Sequence, residues 1–213
     1  MGPQLQQAWR TVADLAMPAG RWELPRRSVI EIGSGMGDSL TAAATRWDLV
    51  IGIDVHVRGL AATARAAQRA GLTNLRLVAG DAMEVLDDQV GVGAVGEIHI
   101  WFPDPWPKAR HHKRRLVRPA FAEVLAARLA PGGVLRLATD IPSYATAMQA
   151  VLGRTPGLSP LGPAGAVARP AWRPVTRYEQ AGIDAGRTIT DLAFRRDGSP
   201  PAAGGPSAAQ RGE

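Results

Sequence analysis

The amino-acid sequence predicts one α/β domain whose mostly parallel sheet is covered by helices on both faces, and three observations lead to this fold class. Short apolar strands alternate with helical stretches along the chain. The strands are apolar throughout, which is typical of strands buried on both faces of a parallel sheet. Acidic residues recur at or just beyond the strand ends, where open sheets of this kind bind their ligands; they are Glu31, Asp54, Asp81, Asp104 and Asp140.

Each predicted element has a local cause in the sequence. The strands are short apolar runs that end in turn-forming or acidic residues, and the stretches that follow them have helical spacing of apolar residues. The second helix stops at Gly71, a residue suited to the position just after a helix end. The predicted strands are 28–32, 49–54, 75–78, 96–101, 134–138 and 188–195, and the predicted helices are 38–47, 57–70 and 114–129.

The predicted domain organisation is simple. Residues 1–196 are expected to form a single domain, since a chain of this length can bury a full core. Residues 1–27 are expected to be a helical extension ahead of the first strand, and residues 153–174 an irregular connection. Residues 197–213 are rich in Gly, Pro, Ser and Ala, a composition typical of a disordered tail.

Composition narrows the classes of function. The formal net charge of +6 and the sequence pI of about 10.8 favour a polyanionic partner without establishing one. The absence of cysteine excludes disulfides, zinc–thiolate sites and cysteine nucleophiles. The N-terminus has no apolar core of a secretory signal, and no apolar stretch is long enough to span a bilayer. We therefore expect a cytoplasmic protein with no membrane association and no metal site; the adjacent His111 and His112 have no further ligands at suitable spacing.

The glycine-rich turn after the first predicted strand distinguishes between two kinds of cofactor. Residues 33–37 read Gly-Ser-Gly-Met-Gly, so the third glycine comes one residue earlier than in the Gly-x-Gly-x-x-Gly motif of dinucleotide-binding proteins. Asp38 stands where that glycine belongs, and an acidic residue at a helix start would repel a pyrophosphate. S-adenosylmethionine has no phosphate, and its cationic amino and sulfonium groups suit a carboxylate such as Glu31.

Further acidic residues fit the same cofactor. Asp54 ends the second strand and is placed to accept hydrogen bonds from both ribose hydroxyls, while Asp81 follows the third strand and can receive the adenine amino group. Each could instead be a helix cap or turn residue, which is the preferred interpretation for Asp38. For the others, the shared sheet edge favours cofactor binding, with Gly33 and Gly35 allowing close approach of the backbone.

The loop from Phe102 to Trp106 is the most specific segment. Its sequence is Phe-Pro-Asp-Pro-Trp, and with Pro107 it holds three prolines in five positions, which fix the backbone at the end of the fourth strand. A rigid loop suits group transfer, because holding the acceptor in line is most of the catalysis. Asp104 would accept hydrogen bonds from the N1–H and N2 amino edge of guanine, and Trp106 would stack or pack nearby.

A basic run continues directly from this loop. Phosphate contacts supply most of the affinity for nucleic acids, so positive side chains beside the loop would dock an RNA backbone near the methyl donor. Some of these side chains will simply be solvated. The basic residues are Lys108, Arg110, Lys113, Arg114, Arg115 and Arg118.

The segment from Phe102 to Leu116 closely resembles the signature of the bacterial tRNA (guanine-N7)-methyltransferases. The resemblance covers roughly residues 3–196 and continues through residues 31–37, 80–82, 139–140, 173–179 and 191–192. It implies a Rossmann-like class I S-adenosylmethionine-dependent methyltransferase fold with a mostly parallel seven-stranded sheet. It also implies methyl transfer from S-adenosylmethionine to N7 of guanine 46 in the variable loop of tRNA, by a monomer or homodimer.

The resemblance also implies roles for matching residues. Asp104 would be the active-site residue and would also bind the cofactor together with Glu31, Asp54 and Asp81. The substrate would be bound by Lys108, Asp140, Thr176, Arg177, Tyr178 and Glu179. The tRNA backbone is expected at Arg110, Lys113, Arg114 and Arg115.

Two departures from the family and three alternatives accompany this interpretation. The family usually has Glu where Asp54 stands, and it usually has a basic stretch ahead of the segment that begins here at Gln4; a misassigned start or a weaker tRNA affinity would each account for the latter. The alternatives are a methyltransferase for an exocyclic amine, a non-catalytic RNA-binding homologue and a nucleotide-dependent oxidoreductase. The basic run argues against the amine methyltransferase, and the retained acidic positions argue against the non-catalytic homologue. The glycine spacing argues against the oxidoreductase.

Overall fold

The computed structural model describes residues 3–198, which form seven α-helices and eight strands that alternate along most of the chain. The strands are β1 (Ser28–Ile32), β2 (Leu49–Asp54), β3 (Leu75–Ala79), β4 (Val95–Trp101), β5 (Leu129–Thr139), β6 (Leu158–Pro160), β7 (Ala166–Val167) and β8 (Thr190–Arg196). The helices are α1 (Pro3–Ala13), α2 (Asp38–Ala43), α3 (Val57–Arg69), α4 (Ala82–Gln89), α5 (Pro119–Arg128), α6 (Pro142–Leu152) and α7 (Arg177–Asp184). Short 3₁₀ helices cover Ala109–Arg114 and Pro163–Gly165.

The strands form one sheet in the order β3-β2-β1-β4-β5-β8-β6, with β7 also paired to β8. The five strands from β3 to β5 run parallel, and β8 is antiparallel to β5, β6 and β7. This confirms the predicted mostly parallel sheet with helices around it. The strand order reverses between β1 and β4, and this switch point is where open α/β sheets have their ligand crevice.

Several predicted details of the architecture are wrong. The helix predicted over residues 38–47 ends at Ala43, and the connection predicted to be irregular over residues 153–174 contains β6 and β7. The sheet has eight strands instead of seven, because the chain after β6 turns back and the two residues of β7 pair with Asp191 and Leu192. The helix expected from Arg114 starts at Pro119, the first position of α5, where proline is favoured because its missing N–H would be unpaired there anyway. The residues before it form the 3₁₀ helix Ala109–Arg114 instead.

The two faces of the sheet bury separate hydrophobic clusters, which follows from the alternation of side chains along each strand. On one face Ile30 and Ile98 pack with residues of α4, α5 and α6. On the other face Val29 and Val50 pack with residues of α1, α2 and α3. Both faces are therefore covered, in agreement with strands that are apolar throughout.

The ends of the described chain are attached to the domain. The buried side chains of Ala8 and Val12 pack in the same cluster as α3, so the predicted N-terminal extension lies against the domain. The amide of Asp197 donates to the carbonyl of Gly157 at 2.9 Å, and the carboxylate of Asp197 accepts a hydrogen bond from Ser159 Oγ at 2.7 Å. Of the predicted tail, residues 199–213 lie outside the described residues. Within residues 3–198, no helix combines the length and apolar character needed to cross a membrane.

Candidate active site at the carboxyl ends of β1 and β4

Glu31 is a buried carboxylate at the switch point of the sheet. It lies one residue before the end of β1 and pairs in register with His99 of β4, so both side chains are on one face. Its side chain accepts hydrogen bonds from Ser39 Oγ at 2.6 Å and from Trp101 Nε1 at 3.1 Å. Burial raises the pKa of Glu31 to about 7, and the hydrogen bonds from Ser39 and Trp101 offset only part of that effect. The site therefore contains an incompletely compensated carboxylate that a cationic group would stabilise.

The raised pKa gives a stability prediction for Glu31→Gln. A carboxyl whose pKa is higher in the folded than in the unfolded protein stabilises the fold when protonated, and this contribution is lost as pH rises from about 4.5 through about 7. We expect Glu31→Gln to be close to neutral at pH 4 and to increase the free energy of unfolding by up to about 3 kcal/mol at pH 8. Urea denaturation at both pH values measures the difference, with the exposed Glu84→Gln as a matched control.

The glycine-rich turn is held between β1 and β2 by backbone hydrogen bonds. Gly33 N donates to the carbonyl of Ile53 at 2.8 Å, and Gly35 N donates to Asp54 Oδ2 at 2.8 Å. Gly33 and Gly35 have φ angles of +75° and +54°, which a residue with a side chain rarely adopts. Between them the hydroxyl of Ser34 is buried with no hydrogen-bond partner within the described chain. The turn thus exposes backbone without side chains and keeps one polar group unsatisfied.

Two further predicted cofactor carboxylates, those of Asp54 and Asp81, contact helix or loop backbone. Asp54 is nearly buried, and its second oxygen accepts a hydrogen bond from His56 N at 2.8 Å. Asp81 is exposed and caps α4, with Oδ1 accepting from Met83 N at 2.8 Å. Each Asp54 oxygen accepts one backbone N–H and keeps a second lone pair. Asp81 Oδ1 accepts from both Met83 N and Glu84 N, and Oδ2 has no hydrogen bond to the described residues, so both carboxylates can still accept from a ligand.

The loop after β4 has a strained backbone that presents Asp104. Phe102 and Trp106 have φ angles of +49° and +43°, and for bulky residues this conformation costs about 1–3 kcal/mol each. Between them Asp104 is exposed, and its carboxylate has no hydrogen bond or ion pair to the described residues. Strain of this size persists only where surrounding contacts enforce it.

Arg115 is one of those contacts, and its position differs from the sequence prediction. Arg115 is predicted to bind the tRNA backbone, but it is buried and its Nε donates to the carbonyl of Pro105 at 2.9 Å. Its guanidinium also lies 4.7 Å from the ring centroid of Tyr144 on α6. Arg115 therefore anchors the loop to α6 and is not at the surface where phosphates bind. Nothing in the sequence distinguishes Arg115 from the other basic residues of this run, so its burial could not be predicted.

The basic run leaves the loop as an exposed 3₁₀ helix. Lys108, Arg110, Lys113 and Arg114 are exposed, as a phosphate-binding surface requires. Arg114 lies 5.0 Å above the ring of Trp106, and His111 contacts the same ring edge-on at 5.9 Å. Trp106 is therefore packed against the basic helix and fixes its position relative to the loop.

The remaining predicted substrate residues divide into exposed and buried groups. Arg177 and Tyr178 are exposed at the start of α7, which Thr176 caps by accepting from Glu179 N at 3.2 Å. Asp140 accepts a hydrogen bond from Arg187 Nε at 2.7 Å. Glu179 is buried, and its carboxylate is occupied by Arg169 and Arg173.

Arg173 is a site residue that the sequence does not single out. Its buried guanidinium contacts Glu179 Oε2 at 2.6 Å and Asp191 Oδ1 at 3.0 Å. The same group lies 4.9 Å from the ring centroid of Trp101 and 5.6 Å from that of Phe102. Arg173 thus joins α7 and β8 to the end of β4. It belongs to the segment of residues 173–179 that matches the family, but only its burial distinguishes it from the other arginines. Among residues 3–198, no cluster of His, Asp or Glu side chains has the arrangement of a metal site.

Comparison with known families agrees with this geometry. A family model described as "Putative methyltransferase" matches residues 25–192. Among solved structures, the [4+2]-cyclase SpnF has a TM-score of 0.57 at 15% identity, covering 92% of this chain and 81% of that one. A 16S rRNA (adenine(1408)-N(1))-methyltransferase from Catenulisporales acidiphilia has a TM-score of 0.53 at 18% identity, covering 92% of each chain. Fold, site and family model together define a Rossmann-like methyltransferase.

Curated relatives make the assignment more specific. The tRNA (guanine-N(7)-)-methyltransferase of Xanthomonas oryzae pv. oryzae is 45% identical over 190 residues, which cover 88% of this chain and 74% of the relative. The protein of the same name from a Nocardioides species is 44% identical over 211 residues, covering 92% of this chain and 84% of the relative. The chain belongs to the tRNA (guanine-N7)-methyltransferase family.

Proposed function

We propose that the protein transfers a methyl group from S-adenosylmethionine to N7 of guanine 46 in the variable loop of tRNA, in the cytoplasm. The observation that carries this proposal is the continuity of two features at the end of β4. The rigid loop presents the unpaired Asp104 at the sheet edge, and the exposed basic helix begins only a few residues later. The names of the curated relatives support the same reaction and substrate.

The residues around the glycine-rich turn fit S-adenosylmethionine. Glu31 supplies a buried carboxylate for a cationic group, and the unsatisfied Ser34 hydroxyl supplies a polar contact beside it. Gly33 and Gly35 permit close approach, while Asp54 accepts from the ribose hydroxyls and Asp81 from the adenine amino group. Asp104, just beyond the end of the neighbouring strand β4, is proposed to contribute to cofactor binding as well.

The chemistry requires positioning more than proton transfer. When bound, S-adenosylmethionine supplies an electrophilic methyl group on a positively charged sulfonium. N7 of guanine has a free lone pair, so no residue needs to remove a proton. Asp104 is proposed to hold the guanine edge in line and to stabilise the positive charge that develops on the purine.

The substrate surface is proposed to extend from the loop to α7. Lys108, Arg110, Lys113 and Arg114 contact phosphates, and Asp140 with Thr176, Arg177 and Tyr178 contacts the nucleotide. The proposal changes the role of Glu179: because its charge is paired with two arginines, it orders α7 instead of meeting the base directly. N7 lies in the deep groove of an RNA helix, so the target base must be exposed by local distortion.

The reaction is tested by incubating the protein with labelled S-adenosylmethionine and unmodified tRNA. Label in the tRNA, followed by borohydride/aniline cleavage at position 46, is the expected result. Label in an exocyclic amine without cleavage would favour the amine-methyltransferase alternative. Binding of tRNA with no incorporation would favour the non-catalytic homologue.

Lys113→Ala separates RNA docking from chemistry. We expect the variant to weaken tRNA binding, with the slope of log K against log salt smaller by about one, because one phosphate contact is lost. The turnover number at saturating tRNA should remain near the parent value. Filter binding at several salt concentrations measures the slope, and Arg65→Ala on α3 is the charge-matched control. An unchanged slope in Lys113→Ala would remove Lys113 from the interface.

A further inference from the structure

A basic pocket lies at the opposite edge of the sheet, where the chain enters β1, β2 and β4. It encloses about 300 Å³, the lower end of the range for pockets that bind small ligands. None of its residues belongs to the proposed methyl-transfer site. The lining residues are Arg26, Arg27, Arg46, Trp47, Gly96 and Glu97.

Two of the three arginines have donors available for an anion. Arg26 and Arg46 are exposed, and neither has an ion pair with the described residues. The Arg46 guanidinium lies 5.9 Å from the ring centroids of both Trp47 and Trp172, which fixes it over an aromatic surface. Arg27 is already engaged, since its Nη2 donates to the carbonyl of Arg46 at 2.5 Å.

The pocket also has an aromatic wall and a hydrogen-bond acceptor. Trp47 is partly exposed and packs edge-on against Trp172 and His99, at centroid distances of 4.9 and 5.4 Å. Glu97 Oε2 contacts His99 Nε2 and Arg136 Nε, both at 3.0 Å, which leaves Oε1 without a hydrogen bond in the described structure. Burial opposes ionisation of Glu97, but the contacts with His99 and Arg136 outweigh it and lower the pKa, so the acceptor stays charged.

The pocket lies within reach of the proposed RNA surface, although it is at the opposite edge of the sheet. Trp172, which lies under Arg46, immediately precedes Arg173 and the segment leading to α7. Along β4, the five residue steps from Gly96 to Trp101 place the pocket about 17 Å from the loop that begins at Phe102, at ~3.3 Å per step. An RNA docked on the loop and on α7 is therefore close enough to reach it.

We propose that this pocket binds one nucleotide of the RNA substrate, outside the methylated position. Arg26 and Arg46 hold the phosphate, the base lies against Trp47, and Glu97 Oε1 accepts a hydrogen bond from a base amino group or a 2′-hydroxyl. The combination of cations, an aromatic face and an acceptor matches the parts of a ribonucleotide. This inference rests on the proposed function, because the ligand is a second part of the same tRNA.

The test compares the Arg26→Ala/Arg46→Ala double variant with the parent and with Arg65→Ala. Fluorescence anisotropy with labelled tRNA gives Kd at several salt concentrations, and methylation at saturating tRNA gives kcat. We expect the double variant to raise Kd about tenfold and to lower the salt slope by about two, with kcat unchanged. Arg65→Ala should match the parent.

The outcomes distinguish this inference from the proposed function. Equal Kd and salt slope in the double variant and the parent would overturn the pocket assignment, whether or not the parent methylates tRNA. A parent protein that binds tRNA without methylating it would overturn the proposed function. The salt dependence of tRNA binding in the double variant and the parent would still show whether the pocket binds RNA. Guanosine monophosphate that binds the parent but not the double variant, with tRNA affinity equal in both, would overturn the RNA assignment in favour of a free nucleotide.

Discussion

Asp104→Ala is expected to lower kcat/KM for tRNA methylation by about a hundredfold or more. The loss of one preorganised group that stabilises transition-state charge commonly costs this much. The effect should appear mainly in kcat, because Asp104 acts on the developing positive charge and on the alignment of the base. Single-turnover methylation of saturating tRNA measures it.

The controls for Asp104 test position as well as charge. Asp104→Asn keeps the size and one acceptor oxygen, so it should recover part of the alignment but not the charge stabilisation. Asp88→Ala, an exposed acidic residue on α4, removes the same charge elsewhere and should leave kcat unchanged. The chain should fold normally in all three variants, since Asp104 and Asp88 are both exposed and neither side chain has a hydrogen bond to the described residues. Equal activity of Asp104→Ala and the parent would remove Asp104 from the site.

Arg173→Met is expected to have the largest effect on stability, about 3–5 kcal/mol near neutral pH. The substitution leaves the buried carboxylates of Glu179 and Asp191 without their shared cation, and an uncompensated buried charge is costly. Burial already raises the pKa of Asp191, while Arg173 holds it back. Without Arg173 this pKa rises further, so the destabilisation should grow from pH 5 to pH 8, as measured by urea denaturation.

Two variants separate the buried charge from general disruption. Arg187→Met breaks an ion pair that is partly exposed, and such pairs contribute about 0–1 kcal/mol. Arg173→Met combined with Glu179→Gln and Asp191→Asn removes the unpaired charges and should recover part of the loss. A stability of the single Arg173→Met variant equal to that of Arg187→Met would show that the buried network contributes little.

Much of the fold could be predicted because its causes are local or periodic. The parallel strands are short apolar runs, and the acidic residues that follow them mark the sheet edge where Glu31 and the loop lie. The β7 strand could not be predicted, since a two-residue pairing depends on where β8 lies in space. The start of α5 differs from the prediction because helical spacing of apolar residues continues before Pro119, although proline itself is typical of the first helical position.

The site was harder to predict because the sequence shows charge but not burial. Arg114 and Arg115 are neighbours in one basic run, yet Arg114 is exposed, whereas Arg115 is buried and donates a hydrogen bond to the carbonyl of Pro105 in the loop. Glu179 matches a family motif as a substrate residue, and only the structure shows that its charge is paired with Arg169 and Arg173. Identifying such supports requires knowing which elements pack together.

The left-handed backbone of Phe102 and Trp106 implies a trade-off between the stability of the protein and the activity of the loop that carries Asp104. Glycine at either position would relax the backbone, but it would also remove a ring that contacts Arg173 or Arg114. Where the relieved strain exceeds the lost ring contact, selection for heat resistance alone would favour glycine and a more mobile Asp104, whereas selection for turnover would retain the bulky residues. Laboratory evolution should therefore give glycine at positions 102 and 106 under selection for heat resistance and should retain Phe102 and Trp106 under selection for turnover.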